Sequence, residues 1–300
     1  MSDWVVPEPH AVIDVTVDDD VMLSVRRHGN LASRCRVLLG HGCGLAADAY
    51  LPFWSQLAIR YEIIAYDMRS HGYSSLGPLE TLNVPTLVRD SQSVFKTAQS
   101  AFGEKPTVGV HHSLASVVAL HHAAQEPEFA ALVLFDPPVR PTDGAPDDIE
   151  AIGQFMARAA SQRRERFDHP HQLAESLARN PAFQLVPPTT LELFARSILV
   201  EDAEGWRLRC PPEHETALSQ WTFGFTMQLP GIIGRLPIPV KVIGGDPTVP
   251  FSFLPTVDMS ELITVGYDFV PDLTHFLQVE DPEITATLTI DFLESQGLGS

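Results

Sequence analysis

The chain opens with alternating apolar and polar residues, Ala11 to Val17 and Met22 to Val25, on either side of the acidic turn Asp18-Asp19-Asp20. A period of two sends successive side chains to opposite faces, so this stretch predicts a hairpin of two half-exposed strands. The pattern then changes to short, mostly continuous apolar runs: Arg36–Gly40, Glu62–Tyr66, Thr107–Val110, Ala131–Phe135, Val240–Ile243 and Leu262–Val265. Runs of that length without alternation suit strands covered on both faces. Helical patterns fall between most of them, at Ala49–Ile59, Val84–Phe102, Leu114–Gln125 and Pro282–Ser295. Two antiparallel strands followed by repeated strand–helix units predict an α/β fold. Its sheet is eight-stranded and mostly parallel, with helices on both faces.

One interval interrupts the alternation. Residues 139–236 contain no convincing strand pattern but several amphipathic helical stretches, with Pro187-Pro188 and Pro211-Pro212 as joints. This predicts a helical cap inserted into a core made of residues 1–138 and 237–300.

A hydrophobic content of 44% against 19% charged residues supports a substantial buried core. No run approaches the ~18–20 apolar residues of a membrane span, and the N-terminal segment carries neither the basic nor the apolar part of a secretory signal. Three cysteines, Cys35, Cys43 and Cys210, are too few for a disulfide framework or a zinc site. A reduced, cytoplasmic protein is expected. The net charge of −18 disfavours nucleic acid and anionic membrane surfaces as partners and gives no long-range attraction to a polyanionic substrate. A small-molecule substrate remains, and oligomeric state is silent.

Four elements then carry chemistry, each at a predicted strand end. Val110-His111-His112-Ser113-Leu114-Ala115 lies between a strand and a helix. A serine on such a sharp turn projects its hydroxyl at the carboxyl end of the sheet, as in a Gly-x-Ser-x-Gly nucleophile elbow. Ala115 is the small residue two positions after it, whereas His111 stands where a glycine is usual. Leu39-Gly40-His41-Gly42-Cys43-Gly44 is a glycine-rich turn whose Cys43 amide, with that of Leu114, predicts an oxyanion hole. Asp246 follows the strand after the insertion, and His275 precedes the last helix. A hydroxyl needs a base to take its proton, and an imidazole needs a carboxylate to fix its tautomer. Ser113, Asp246 and His275 supply these in order. Asp136, also at a strand end, is the alternative carboxylate.

With Tyr66-Asp67-Met68-Arg69-Ser70-His71-Gly72-Tyr73-Ser74 added, the chain resembles the α/β-hydrolase superfamily, in its serine-nucleophile branch with a helical cap. The resemblance covers the whole core and spares the cap. It implies Ser113 as nucleophile, His275 as base, Asp246 as acid and the Cys43 and Leu114 amides as oxyanion donors. Asp67, Arg69, His71 and Ser74 become structural braces.

Serine at the elbow implies acyl transfer rather than the alkyl-ester chemistry of an aspartate. The expected substrate is a small, largely hydrophobic carboxylic ester or lactone, with no cofactor. His41, His111, His112 and Trp221 are candidates for the substrate pocket. No metal is expected: adjacent histidines such as His111-His112 on a strand face opposite ways, and none has zinc-type spacing. Two other readings stay open. One is C–C bond hydrolysis or cofactor-free oxygenation on the same scaffold. The other is a non-catalytic ligand-binding homologue, prompted by His111.

Overall fold

A computed structural model of the chain describes residues 4–139, 146–251 and 266–299, the side chains of 146–149 excepted. The hairpin is formed by β1 (Ala11–Thr16) and β2 (Met22–Gly29), paired antiparallel from Ala11 opposite Arg27 to Thr16 opposite Met22. The buried runs become β3 (Arg36–Gly40), β4 (Glu62–Tyr66), β5 (Thr107–His112) and β6 (Ala131–Phe135). Helices α1 (Leu51–Ala58), α2 (Val84–Phe102) and α3 (Leu114–Gln125) lie between them in sequence. Local chemistry sets the helix ends. The Asn83 side chain accepts from the Thr86 amide to cap α2, and Gly103 ends it at φ +86°.

Between β6 and the next sheet strand come α4 (Pro146–Ser161), β7 (Arg166–Phe167), α5 (Pro170–Ala178), α6 (Pro188–Ile198), β8 (Leu199–Asp202), β9 (Gly205–Leu208), α7 (Pro212–Thr226) and α8 (Leu229–Ile233). The chain then returns to the sheet with β10 (Val240–Gly244) and β11 (Gly266–Phe269) and closes with α9 (Leu277–Glu280) and α10 (Pro282–Ser295). The apolar run at 262–265 lies outside the described residues. The eighth strand starts directly after it.

Among the described residues the main sheet has eight strands in the order β1-β2-β4-β3-β5-β6-β10-β11, parallel from β4 to β11. Side-chain alternation divides its residues between two apolar layers. Val37, Leu39, Val108, Val110, Val133 and Phe135 join the layer under α1 and α10. Leu38, Leu132 and Leu134 join the layer under α2 and α3. The insertion is continuous with the first layer through Phe167, Leu191, Phe194 and Ile198. It is also latched to the loop after β4: Arg209 Nη1 donates to the Gly72 carbonyl at 2.9 Å, and a His214 ring nitrogen bonds the Gly77 carbonyl at 3.1 Å.

The insertion is not wholly helical. β7, β9 and β8 form a three-stranded antiparallel sheet, which the sequence pattern did not predict. At two to four residues, these strands are too short to show a period. The tight β8–β9 turn depends on Gly205 at φ +115° and on the Asp202 carboxylate accepting the Glu204 amide.

His111, the residue that departs from the elbow pattern, is 1% exposed. Its ring takes the space that glycines leave on either side. A Cβ on Gly40 would lie 2.3 Å from His111 Nδ1, and one on Gly109 would lie 2.7 Å from Nε2. The ring meets Phe129 edge-on at 5.9 Å, and among the described residues neither ring nitrogen has a hydrogen-bond partner. His111 therefore fills volume as a neutral imidazole, and burial draws its pKa down to about 3. Gly40→Ala is expected to destabilise the fold by about 1–3 kcal/mol through overpacking. Urea unfolding measures this, and an unchanged midpoint would contradict the packing.

Burial acts the same way on other histidines. His28 and His122 are lowered to about 4 and His71 to about 3, and His41 and His112 are also lowered. Each binds a proton more readily when unfolded. Stability is thus complete above the unfolded value of about 6.5 and is lost as pH falls towards the folded values. At about pH 5 each of the four groups with a stated value costs on the order of 2 kcal/mol, from about 1.4 kcal/mol per pH unit. Unfolding midpoints in urea are expected to fall steeply between about pH 6.5 and pH 4.5, and a flat profile there would refute this account.

Candidate active site

The site lies at the carboxyl ends of the parallel strands, where this kind of sheet leaves room for ligands. Its floor is the loop after β4. Asp67 is fully buried and accepts from Arg26 Nη1 at 2.7 Å, the Ala47 amide at 2.8 Å and the Tyr73 amide at 3.0 Å. Burial alone would raise its pKa, but Arg26 and these hydrogen bonds hold the carboxyl ionised and below its ordinary value. Gly72, at φ +49°, has no room for a side chain, since a Cβ there would lie 2.1 Å from the Asp67 carboxyl carbon. Arg69 is clamped to Asp90 through Nε at 2.6 Å and Nη2 at 2.7 Å. The Ser74 hydroxyl donates to the Asp67 carbonyl at 2.6 Å. The bracing role expected for Asp67, Arg69, His71 and Ser74 is what these contacts describe.

That loop holds the glycine turn after β3. The Gly44 amide donates to His71 Nε2 at 3.0 Å, and the Gly42 amide donates to the Tyr50 hydroxyl at 3.1 Å. The Cys43 amide therefore sits between two fixed neighbours. Burial, reinforced by the nearby Glu215 carboxylate, pushes the Cys43 thiol pKa up, so it stays protonated. Leu114 is the first residue of α3, where amides have no acceptor within their own helix. Over the turn lies an ion pair from the insertion, Arg163 with Glu215. A Cβ on Gly44 would lie 2.7 Å from Arg163 Nη1. Of the three arginines in that stretch, Arg163 faces the glycine turn, whereas Arg164 and Arg166 bond on the exposed side.

Ser113 joins β5 to α3 with φ +52° and ψ −118°, a conformation that L-residues rarely adopt. The surrounding hydrogen bonds hold it there. Its amide donates to the Phe135 carbonyl at 3.1 Å, and its own carbonyl accepts the Ser116 amide at 2.9 Å. The Ser116 hydroxyl donates to the His111 carbonyl at 2.9 Å, closing the turn from the helix side. Ser113 itself is partly exposed, unlike its neighbours on both sides.

His275 comes to the same place from the loop after β11. Its amide donates to the Phe251 carbonyl at 2.9 Å, and its carbonyl bonds His112 Nε2 at 2.8 Å. Its Nδ1 lies 2.6 Å from Asp136 Oδ2. Asp136 is fully buried at the end of β6, with φ +37° and its amide bonded to the Ile243 carbonyl at 2.9 Å. The expectation that Asp246 is the carboxylate at His275 is therefore corrected: the structure puts Asp136 there.

Asp246 is engaged elsewhere. Its Oδ1 accepts the Thr248 amide and hydroxyl, both at 2.7 Å, and its Oδ2 accepts the Asp272 amide at 2.8 Å. The Thr248 hydroxyl and these amides hold its carboxyl below the usual range. With its own amide bonded to the Leu273 carbonyl at 2.7 Å, Asp246 staples the loop that carries His275. Gly245 makes the approach possible, because a Cβ there would lie 2.6 Å from the Thr274 carbonyl oxygen.

The other pocket candidates are placed differently from expectation. His41 is fully buried and has both ring nitrogens occupied, Nδ1 by the Gly42 carbonyl at 2.9 Å and Nε2 by the Met68 amide at 3.0 Å. His112 is likewise committed at both nitrogens, and His111 is packing. Trp221, on α7, is 55% exposed. The insertion does bring aromatic surface to the histidine loop. Phe183 stacks on Phe276 at 4.3 Å, Phe194 meets Phe276 at 6.3 Å, and Phe276 packs against His275 at 5.3 Å. Among the described residues, the one group with metal-like proximity is His122, Glu126 and Glu128, of which Glu126 is already paired with Lys96 at 2.6 Å.

Comparison with known proteins agrees with this architecture. The chain is 28% identical over 109 residues to protein phosphatase methylesterase 1 of Schizosaccharomyces pombe, an alignment covering 34% of this chain and 32% of that protein. The match thus spans about a third of the relative's length. Among solved structures, E-2-(acetamidomethylene)succinate hydrolase superposes with a TM-score of 0.74 at 19% identity, covering 95% of this chain and 100% of the other. The thioesterase domain from the curacin biosynthetic pathway superposes at 0.72 with 16% identity, covering 93% and 99%. At such identities these two show the fold alone. The profile of the alpha/beta hydrolase family matches residues 37–288, from the first parallel strand into the last helix, and the chain belongs to that family.

Proposed function

We propose that the protein is a serine hydrolase acting on a small, largely hydrophobic carboxylic ester or lactone. The observation that carries this reading is the 2.6 Å bond between His275 and Asp136, with the His275 carbonyl bonded to His112, the residue before the serine held at φ +52°. Ser113 Oγ attacks the substrate carbonyl while the His275 imidazole takes the hydroxyl proton. Asp136 holds the imidazole with its proton on Nδ1 and offsets the charge that develops on the ring. The amides of Cys43 and Leu114 receive the oxyanion. Collapse expels the alcohol, protonated by His275. Water, activated by the same imidazole, then releases the acid from the acyl-enzyme.

The family membership supports hydrolysis. A relative named as a methylesterase and a neighbour named as a thioesterase both point to acyl transfer. The aromatic residues Phe183, Phe194 and Phe276 beside the histidine loop support an apolar substrate, and the insertion that supplies two of them reads as a cap over the site. Among the described residues no helix is long and apolar enough to cross a membrane.

A fluorophosphonate is expected to label Ser113, and Ser113→Ala should abolish both labelling and turnover of p-nitrophenyl acetate without unfolding the protein. Asp136→Asn should lower kcat by roughly three to four orders of magnitude, the scale seen when a triad carboxylate loses its charge. Asp246→Asn should act mainly on stability, by about 1–3 kcal/mol, because an amide nitrogen would face the Asp272 N–H. The assignment of the two aspartates is wrong if Asp246→Asn loses as much kcat as Asp136→Asn with an unchanged melting temperature. A folded protein that takes no fluorophosphonate would favour a ligand-binding homologue.

A further inference from the structure

Resting on the serine-hydrolase reading above, we propose that Tyr50 and His112 are a positioning pair that couples the oxyanion turn to the backbone of the base. Tyr50 is 2% exposed and His112 is 1% exposed, yet together they present a hydroxyl and two ring nitrogens to the interior. Burying such groups is costly unless each is hydrogen-bonded, and here each is. The Gly42 amide meets the Tyr50 hydroxyl at 3.1 Å, that hydroxyl meets His112 Nδ1 at 2.7 Å, and His112 Nε2 meets the His275 carbonyl at 2.8 Å.

The chemistry of the end groups allows one order of protons. An amide N–H can only donate, so the Tyr50 oxygen accepts from Gly42 and must spend its single proton on His112 Nδ1. The His112 proton therefore sits on Nε2 and is donated to the His275 carbonyl, which can only accept. Burial, and then the neighbouring His275, keep His112 neutral, as this order requires. With His112 neutral, no other arrangement of the same atoms satisfies all three bonds.

The chain of bonds begins one residue before Cys43, passes through the residue before Ser113 and ends on His275 itself. Oxyanion donor, nucleophile and base thus share a spacing set through one imidazole. The His112 and His275 rings lie 4.4 Å apart, so a shift of the first is felt by the second. A displacement of about 1 Å in a catalytic constellation costs on the order of 10²-fold in rate. Neither Tyr50 nor His112 need touch substrate for this effect.

The test uses the full chain, with active sites titrated by fluorophosphonate and p-nitrophenyl acetate as substrate. Tyr50→Phe removes the hydroxyl and leaves the ring. It should lower kcat per titrated site by about 10- to 100-fold, with KM changed less than about threefold. His112→Ala should lower kcat per site similarly, and His112→Gln should lose less, since an amide also offers an acceptor and a donor. A role in folding alone would reduce the titratable fraction and leave kcat per site alone. Per-site kcat within twofold of wild type in Tyr50→Phe overturns the proposal. Nitrogen NMR of the His275 ring provides a readout independent of turnover. Its resonances should move in Tyr50→Phe, and unchanged resonances overturn the coupling even if the wild-type protein hydrolyses nothing. Failure of wild-type labelling, by contrast, counts against the hydrolase reading itself.

Discussion

The buried Asp67 carboxylate is the interaction on which the site end of the sheet depends. It sits on the antiparallel side of the molecule, yet its partners come from β2, from the chain after the glycine turn and from its own loop. Removing Arg26 from beside it would leave a charge in the interior, a change that costs several kcal/mol in comparable settings. With Asp67 anchored, His71 can present Nε2 to the Gly44 amide, and the glycine turn has a fixed height above the strands. The loop also supplies the carbonyls of Gly72 and Gly77, to which the insertion is latched. One ion pair with two amide bonds therefore orders the floor, the glycine turn and the approach of the segment above them.

Much of this was legible in the chain, because the core obeys periodic rules. Continuous apolar runs marked five of the six parallel strands, and Asp67, Arg69, His71 and Gly72 stood in the stretch that carries the family resemblance. The carboxylate partner of His275 was not. Asp136 and Asp246 both end strands, and Asp246 stands in the more distinctive turn. That turn owes its regularity to another task, closing the loop that brings His275 in. Sequence order cannot distinguish a side chain aimed at an imidazole from one folded back on neighbouring amides. The small antiparallel sheet was invisible for a simpler reason, since its strands are shorter than the period they would have to reveal.

The buried histidines show how residue type alone misleads about role. His41, His71 and His112 spend their ring nitrogens on backbone groups and a tyrosine hydroxyl, acting as polar braces in a dry interior. His275 has the same side chain, but its Nδ1 is given to a carboxylate in a partly exposed loop. What separates His275 from the braces is the chemical identity of the partner and access to the surface. Neither property is carried by the residue or its immediate neighbours in sequence.

The space around His111 ties the residues that share it to one another. The room that a nucleophile turn ordinarily obtains from a glycine at this position is found here one strand over, at Gly40, and two residues back, at Gly109. The requirement has moved from a site in the sequence to a volume shared by three positions. Substitutions at 40, 109 and 111 are then bound to one another: a side chain gained at either glycine must be matched by one lost at 111. Restoring glycine at 111 alone would open a void the size of an imidazole at the base of the elbow. The shape of this turn is therefore a property of three positions together.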